Sequence, residues 1–180
     1  METIALFGGS FDPPHIGHEA IVTHLLDKGI VEKVVVMPTY LNPFKESSYT
    51  SASVRLHWLQ QMFAENKNVI VESYEVDQKR KVSTLESVQY LLQTYKKIYL
   101  VIGADNVASL PQWYQYNTLK ELVTFIVVKR DDVIIPSNFK VIDLDVRVSS
   151  TQLREKLDSS LLPKKCAKDI LKFYKDKNGK

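Results

Sequence analysis

The chain has 180 residues, 44% hydrophobic and 25% charged, with 24 Lys and Arg against 21 Asp and Glu for a net charge of +3. That length corresponds to about one domain, and the composition excludes disorder and collagen-like repeats. The charge is too mild for a nucleic-acid or membrane-surface protein but suits a small anionic substrate. A single cysteine, Cys166, excludes an internal disulfide and fits a reducing compartment. The first residues carry no basic n-region and only a short apolar run, so no signal peptide is expected, and no apolar run is long enough to cross a bilayer. A cytoplasmic protein is expected, and a homo-oligomer is left open.

In chain order, short runs rich in Val and Ile alternate with helical spacing. Residues 4–7 predict a first strand. A helical face of Ile21, Val22, Leu25 and Leu26 follows, then a strand at 34–37. Trp58, Leu59, Met62 and Phe63 mark the next helix, ahead of a strand at 69–71. Leu85, Val88, Leu91, Leu92 and Tyr95 mark another, ahead of strands at 98–102, 125–128 and 141–144. Cys166, Ala167, Ile170, Leu171 and Tyr174 close the series with a helix over 163–175, and 176–180 reads as a tail.

The strands show little polar alternation, as in strands covered on both faces. The order predicts a single α/β domain over 1–180. Its frame is a Rossmann-like, doubly wound, mainly parallel sheet of five to six strands with helices on both faces. Such sheets bind ligands beyond the carboxyl ends of their strands. The loops after strands are therefore where chemistry is expected, and 39–53 and 77–82 are two of them.

The first strand runs into Gly8-Gly9-Ser10-Phe11-Asp12-Pro13-Pro14-His15-Ile16-Gly17-His18. Two glycines after a strand allow a sharp turn and close approach of a phosphate. His15 and His18 fall where the next helix begins, a natural anion site. Gly-x-Gly-x-x-Gly and the Walker pattern are both absent, which disfavours hydride transfer and P-loop hydrolysis. The plainer alternatives for the pair are a metal site lacking its third ligand or ordinary surface histidines.

Near the other end, Val148-Ser149-Ser150-Thr151-Gln152-Leu153-Arg154 opens a helix, with Ser149 and Gln152 as a capping box. Ser150, Thr151 and Arg154 then converge hydroxyls, free N–H groups and a guanidinium, as a departing pyrophosphate requires. An ordinary cap with a solvated Arg is the plainer reading. Gly103-Ala104-Asp105-Asn106 follows a strand, with Trp113 downstream. Asp105 suits ribose hydroxyls or a helix cap, and Trp113 suits ring stacking or core packing.

The string His15-Ile16-Gly17-His18 resembles the signature of the nucleotidyltransferase superfamily, which includes the much longer class I aminoacyl-tRNA synthetases. Taken with Gly103-Ala104-Asp105, Trp113 and Ser149-Ser150-Thr151…Arg154, the chain from Phe7 to Arg154 resembles the bacterial nicotinate-nucleotide adenylyltransferases. Ser10 replaces a Thr of that pattern, Val148 an Ile, and Phe44 a common His, while Ser83-Thr84 stands where Tyr-Thr is usual.

The resemblance implies in-line adenylyl transfer from ATP to nicotinate mononucleotide, without a covalent intermediate, as a step of NAD biosynthesis. It implies His15, His18 and Arg154 as catalytic residues. Gly8, Gly9, Ser10, Phe11, Gly103, Asp105, Ser150 and Thr151 would bind ATP. Lys45, Thr84, Trp113 and Arg130 would bind the second substrate, although Lys45 and Arg130 also read as solvated loop charges. Mg²⁺ is expected mainly on the ATP phosphates, with no dedicated metal residue. The alternative is phosphopantetheine adenylyltransferase or another small-molecule nucleotidyltransferase. A nucleotide sensor and an RNA-binding protein fit the sequence less well.

Overall fold

The computed structural model describes residues 2–130, 133–144 and 147–179. Met1 and Lys180, the outermost residues of the expected domain and tail, lie outside them. Six strands form one sheet: β1 (Thr3–Gly9), β2 (Lys33–Pro38), β3 (Val69–Val71), β4 (Lys97–Gly103), β5 (Val123–Val128) and β6 (Lys140–Ile142). Their order is β3-β2-β1-β4-β5-β6, and every neighbouring pair is parallel. Leu6 sits opposite Val35 on one side and Leu100 on the other. The chain winds outward from β1 to β3, then crosses back to lay β4 against β1. That reversal opens a crevice beyond the carboxyl ends of β1 and β4.

The sheet is covered on both faces, which explains the missing polar alternation. Ala5, Phe7, Val34 and Val36 point to one face. There they pack against α1 (Ile16–Asp27), α2 (Ala52–Phe63) and α7 (Ala167–Asn178). Ile4, Leu6, Val35 and Met37 point to the other, against α4 (Thr84–Leu91) and α5 (Tyr116–Leu122). The remaining helices are short: α3 (Tyr74–Asp77), α6 (Ser150–Glu155) and two 3₁₀ segments, Ala104–Gln112 and Ser159–Leu161. Among the described residues no helix is long and apolar enough to cross a membrane.

Several boundaries differ from the periodicity, among them those of β6, α4 and α7. The last strand starts at Lys140 and ends at Ile142. Helix α4 ends at Leu91, because the N–H groups of Thr94 and Tyr95 both turn back to the Leu91 carbonyl; Leu92 and Tyr95 still pack on the core. Helix α7 is shifted relative to 163–175. Pro163 to Cys166 form a turn, and the helix continues through Asn178 to a Gly179 cap. Residues 176–178 are thus helical, since nothing interrupts the helix before the glycine.

Candidate active site

The β1–α1 connection is built around two histidines. His15 is the N-cap of α1, and its Nδ1 accepts the Gly17 N–H at 3.1 Å. His18 Nδ1 accepts the His15 N–H, also at 3.1 Å. This reciprocal cap is ordinarily made by Ser or Thr with Glu or Gln. Because each Nδ1 is an acceptor, each neutral ring must carry its proton on Nε2. Burial pushes His15 down to about 3, with a smaller push from the Arg130 guanidinium. Burial likewise holds His18 well below its ordinary value, followed by His15 and Arg130. The result is a pair of neutral Nε2–H donors oriented by the backbone.

The rings are stacked, with centroids 3.6 Å apart, and the edge of Phe11 meets His18 at 4.7 Å. Phe11 has a left-handed backbone, φ +50°, a strained conformation for a bulky residue. The turn aims its ring inward, where it is buried in the core. Its ring packs against His18, and its backbone belongs to the turn.

The distant serine motif docks on this turn. Ser149 caps α6 by accepting the Gln152 N–H at 3.2 Å. Ser150 Oγ donates to the Pro13 carbonyl at 2.8 Å. Arg154 donates to the Asp12 carbonyl at 2.6 Å and to Thr151 Oγ1 at 3.1 Å. Beside it lies a polar cleft walled by Ser10, Asp12, Lys45, Arg55, Arg154 and Lys177, among others. Four cations against one carboxylate make it a place for phosphate oxygens.

A second pocket, of about 230 Å³, opens at the crevice between β1 and β4. Gly8, Gly9 and Gly103 form part of its wall, together with Thr84, Asn106, Trp113 and the exposed rings of Phe44 and Tyr114. Thr39 borders both cavities. Ser83 caps α4 by accepting the Glu86 N–H, which leaves Thr84 in the first turn with its N–H free of the helix. The Trp113 indole N–H is enclosed and has no partner among the described residues. Asp105 is exposed, and its Oδ1 lies 2.5 Å from where a Cβ on Gly103 would stand. Asp105 folds over Gly103, and Asn106 takes the place on the pocket wall.

The structure does not gather the four expected substrate residues into one place. Thr84 and Trp113 share the second pocket. Lys45 belongs to the polar cleft. Arg130 acts on the two histidines instead. Among the described residues the pocket beside Trp113 has no cation in its wall, and the cations collect in the polar cleft.

Three further residues shape the site, of which Arg55 and Glu75 are not singled out from the sequence and Asp12 reads there as a turn-former. Arg55 is fully buried, and its guanidinium donates to the carbonyls of Thr50 (3.0 Å), Ser10 (2.6 Å) and Tyr40 (2.9 Å). Asp12 is also buried, and its Oδ2 accepts the Tyr49 and Thr50 N–H groups at 2.8 and 3.1 Å. Together they fasten the loop after β2 to the glycine turn. Arg55 had a signal: it shares the apolar face of Trp58, Leu59 and Met62. Glu75 is buried in the wall of the second pocket and accepts from Ser87 at 2.6 Å; no spacing rule marks it.

A histidine-capped helix after a glycine turn, met by a serine–arginine helix at the reversal point of a parallel sheet, defines a nucleotidyltransferase. The chain belongs to the cytidylyltransferase-like family, whose model matches residues 6–156. A protein of Sulfurimonas denitrificans named "Probable nicotinate-nucleotide adenylyltransferase" is 56% identical over 180 residues, covering 100% of this chain and 99% of that protein. One of the same name from Campylobacter fetus is 42% identical, covering 98% and 99%. The structure of Plasmodium falciparum nicotinic acid mononucleotide adenylyltransferase complexed with NaAD is similar in fold. Its TM-score is 0.73 at 17% identity, over 96% of each chain.

Proposed function

We propose that residues 1–180 act as a single cytoplasmic domain that transfers AMP from ATP to nicotinate mononucleotide, giving deamido-NAD and pyrophosphate in NAD biosynthesis. The observation that carries this reading is the adjacency of two unlike cavities across Thr39. One is cationic and suits phosphates; the other is lined by Trp113 and Thr84 and suits a pyridine ring. The names of the relatives favour a pyridine nucleotide over phosphopantetheine.

In this reading the acceptor phosphate attacks the α-phosphorus in line. His15 and His18 present neutral N–H donors to the phosphates, with His18 stabilising the charge that develops at the α-phosphoryl group. Ser150, Thr151 and Arg154 hold the departing pyrophosphate, and Lys45 and Arg130 hold phosphate rather than pyridine. Gly8, Gly9 and Ser10 let both nucleotides approach the turn, and Gly103 and Asp105 meet the adenylate ribose. No nucleophile is needed; the chain supplies position and charge.

The donors present suit a magnesium ion carried by the nucleotide. Among the described residues no three His, Cys, Asp or Glu side chains converge. Asp12, the carboxylate of the cleft, gives Oδ2 to the Tyr49 and Thr50 N–H groups, while its enclosed Oδ1 has no partner among the described residues. When bound on the phosphates, Mg²⁺ supplies charge neutralisation to the pyrophosphate. The test is pyrophosphate release from ATP and Mg²⁺ with nicotinate mononucleotide, nicotinamide mononucleotide or phosphopantetheine. Release with the pyridine nucleotides is expected. Release with phosphopantetheine alone overturns the reading.

A further inference from the structure

Among the described residues, Glu75 is the one side chain lining the Trp113 pocket that is ordinarily ionised at neutral pH. It is only 6% exposed. Its Oε1 accepts the Ser87 hydroxyl proton at 2.6 Å. Its Oε2 has no partner among the described residues, yet it is not one of the enclosed polar atoms that lack one. Oε2 is therefore not fully enclosed, and Glu75 and Ser87 both line the pocket. Ser87 lies three residues after Thr84, on the same face of α4. The carboxyl group thus stands one helical turn from the first-turn N–H groups of α4.

We propose that the Glu75–Ser87 pair sets the choice between a pyridine carboxylate and a pyridine carboxamide in this pocket. The inference rests on the pyridine-nucleotide reading above. With the Ser87 proton on Oε1, the proton of neutral Glu75 sits on Oε2 and donates to a ligand carboxylate. Ionised Glu75 repels that carboxylate and accepts instead from a carboxamide N–H. The same side chain thus favours opposite ligands in its two protonation states.

The surroundings put the change of state in the working range. Burial pushes Glu75 up to about 7; the Ser87 hydrogen bond opposes this and the Glu86 charge adds to it. Glu86 is on α4 and is itself paired with Arg80. Strand β2 and helix α2, which pack against α3, add no charged group to this set. With no cation in the pocket wall, an anionic ring substituent enters most easily when Glu75 is neutral. Above pH 7, binding of the carboxylate form then takes up a proton.

Two measurements test this with the full chain. The first is kcat/KM for nicotinate and nicotinamide mononucleotide from pH 6 to 9, in the wild type and Glu75→Gln. The nicotinate-to-nicotinamide ratio should fall about tenfold per pH unit above 7 in the wild type and stay level in Glu75→Gln. The second is calorimetry of wild-type binding at pH 8 in two buffers of different ionisation enthalpy. Nicotinate mononucleotide should take up close to one proton more than nicotinamide mononucleotide, the shared phosphate cancelling in the comparison. Turnover with a level wild-type ratio, or equal proton uptake by both ligands, overturns the proposal and leaves the function intact. Turnover of neither nucleotide overturns the function and the proposal with it.

Discussion

His18 takes its hydrogen bond from the backbone N–H of His15, and the two rings lie stacked with centroids 3.6 Å apart. A proton on either Nδ1 would break the cap it belongs to. The folded state therefore holds both rings neutral, with His15 near 3 and His18 well below its ordinary value. A depressed histidine contributes stability that is present above the unfolded value, about 6.5, and is lost as pH falls from there toward the folded value. Each such group steepens the loss by up to about 1.4 kcal/mol per pH unit. The Tm measured from pH 8 to 5 should fall less steeply in His15→Asn than in the wild type. Parallel curves would mean that the ring is not held neutral.

The same geometry predicts what His18 does in turnover. Its Nε2–H is fixed before substrate arrives, so its contact strengthens most where charge develops. His18→Ala should lower kcat by about 100-fold or more, by analogy with loss of one preorganised donor, while ATP affinity changes only a few-fold. Steady-state kinetics with an ATP-binding titration separates the two. Equal losses in both would place His18 in ground-state binding.

Arg55 reads as a fastening rather than a ligand. Three carbonyls on two loops share one guanidinium, and Asp12 is its nearby counter-charge. Arg55→Ala leaves three carbonyl acceptors without their donor, a loss of about 3–5 kcal/mol at about 1–3 kcal/mol for each unsatisfied group. For a chain of this size the Tm should drop by about 10 °C. Arg55→Lys should recover only part of it, because an ammonium cannot span three acceptors with a planar fork. A thermal melt within 2–3 °C of the wild type, roughly 1 kcal/mol, would contradict the assignment.

Much of this was legible in the sequence, for identifiable reasons. The strands declared themselves because both faces are covered, so β1 to β5 appear as unbroken apolar runs. The two phosphate motifs were legible because glycine turns and helix caps are local chemistry. Their contact through Ser150 with Pro13 and Arg154 with Asp12 follows once the sheet is wound. What stayed hidden depends on side chains meeting from distant loops. Nothing local tells that Arg130 sits by the histidines rather than by Trp113, or that Phe11 turns inward. Glu75 is visible only when α3 and α4 are placed side by side.

Glu75 also leaves a mark on stability that needs no substrate. Its folded-state value is about 7 against an ordinary value of about 4.3. A raised carboxyl contributes stability that is fully present below the unfolded value and is lost as pH rises through the folded one. By pH 8 the ionised group costs on the order of 3 kcal/mol. Glu75→Gln should match the wild type in Tm near pH 4.5 and exceed it at pH 8. A gap that does not change with pH would show that the carboxyl ionises as an exposed group does.

Trp113 carries the test of which ring the second pocket takes. The indole lines the pocket with its N–H enclosed and without a partner among the described residues, while its packing against the core fixes its plane. Stacking on such a ring contributes about 1 kcal/mol beyond simple burial. Trp113→Ala should therefore raise the KM for nicotinate mononucleotide by roughly tenfold and leave the KM for ATP near its original value. Trp113→Phe, which keeps a stacking face and removes the N–H, should fall between. A rise in the ATP value instead would mean that the pocket beside Trp113 receives adenine, and that the pyridine ring lies elsewhere along the β1–β4 crevice.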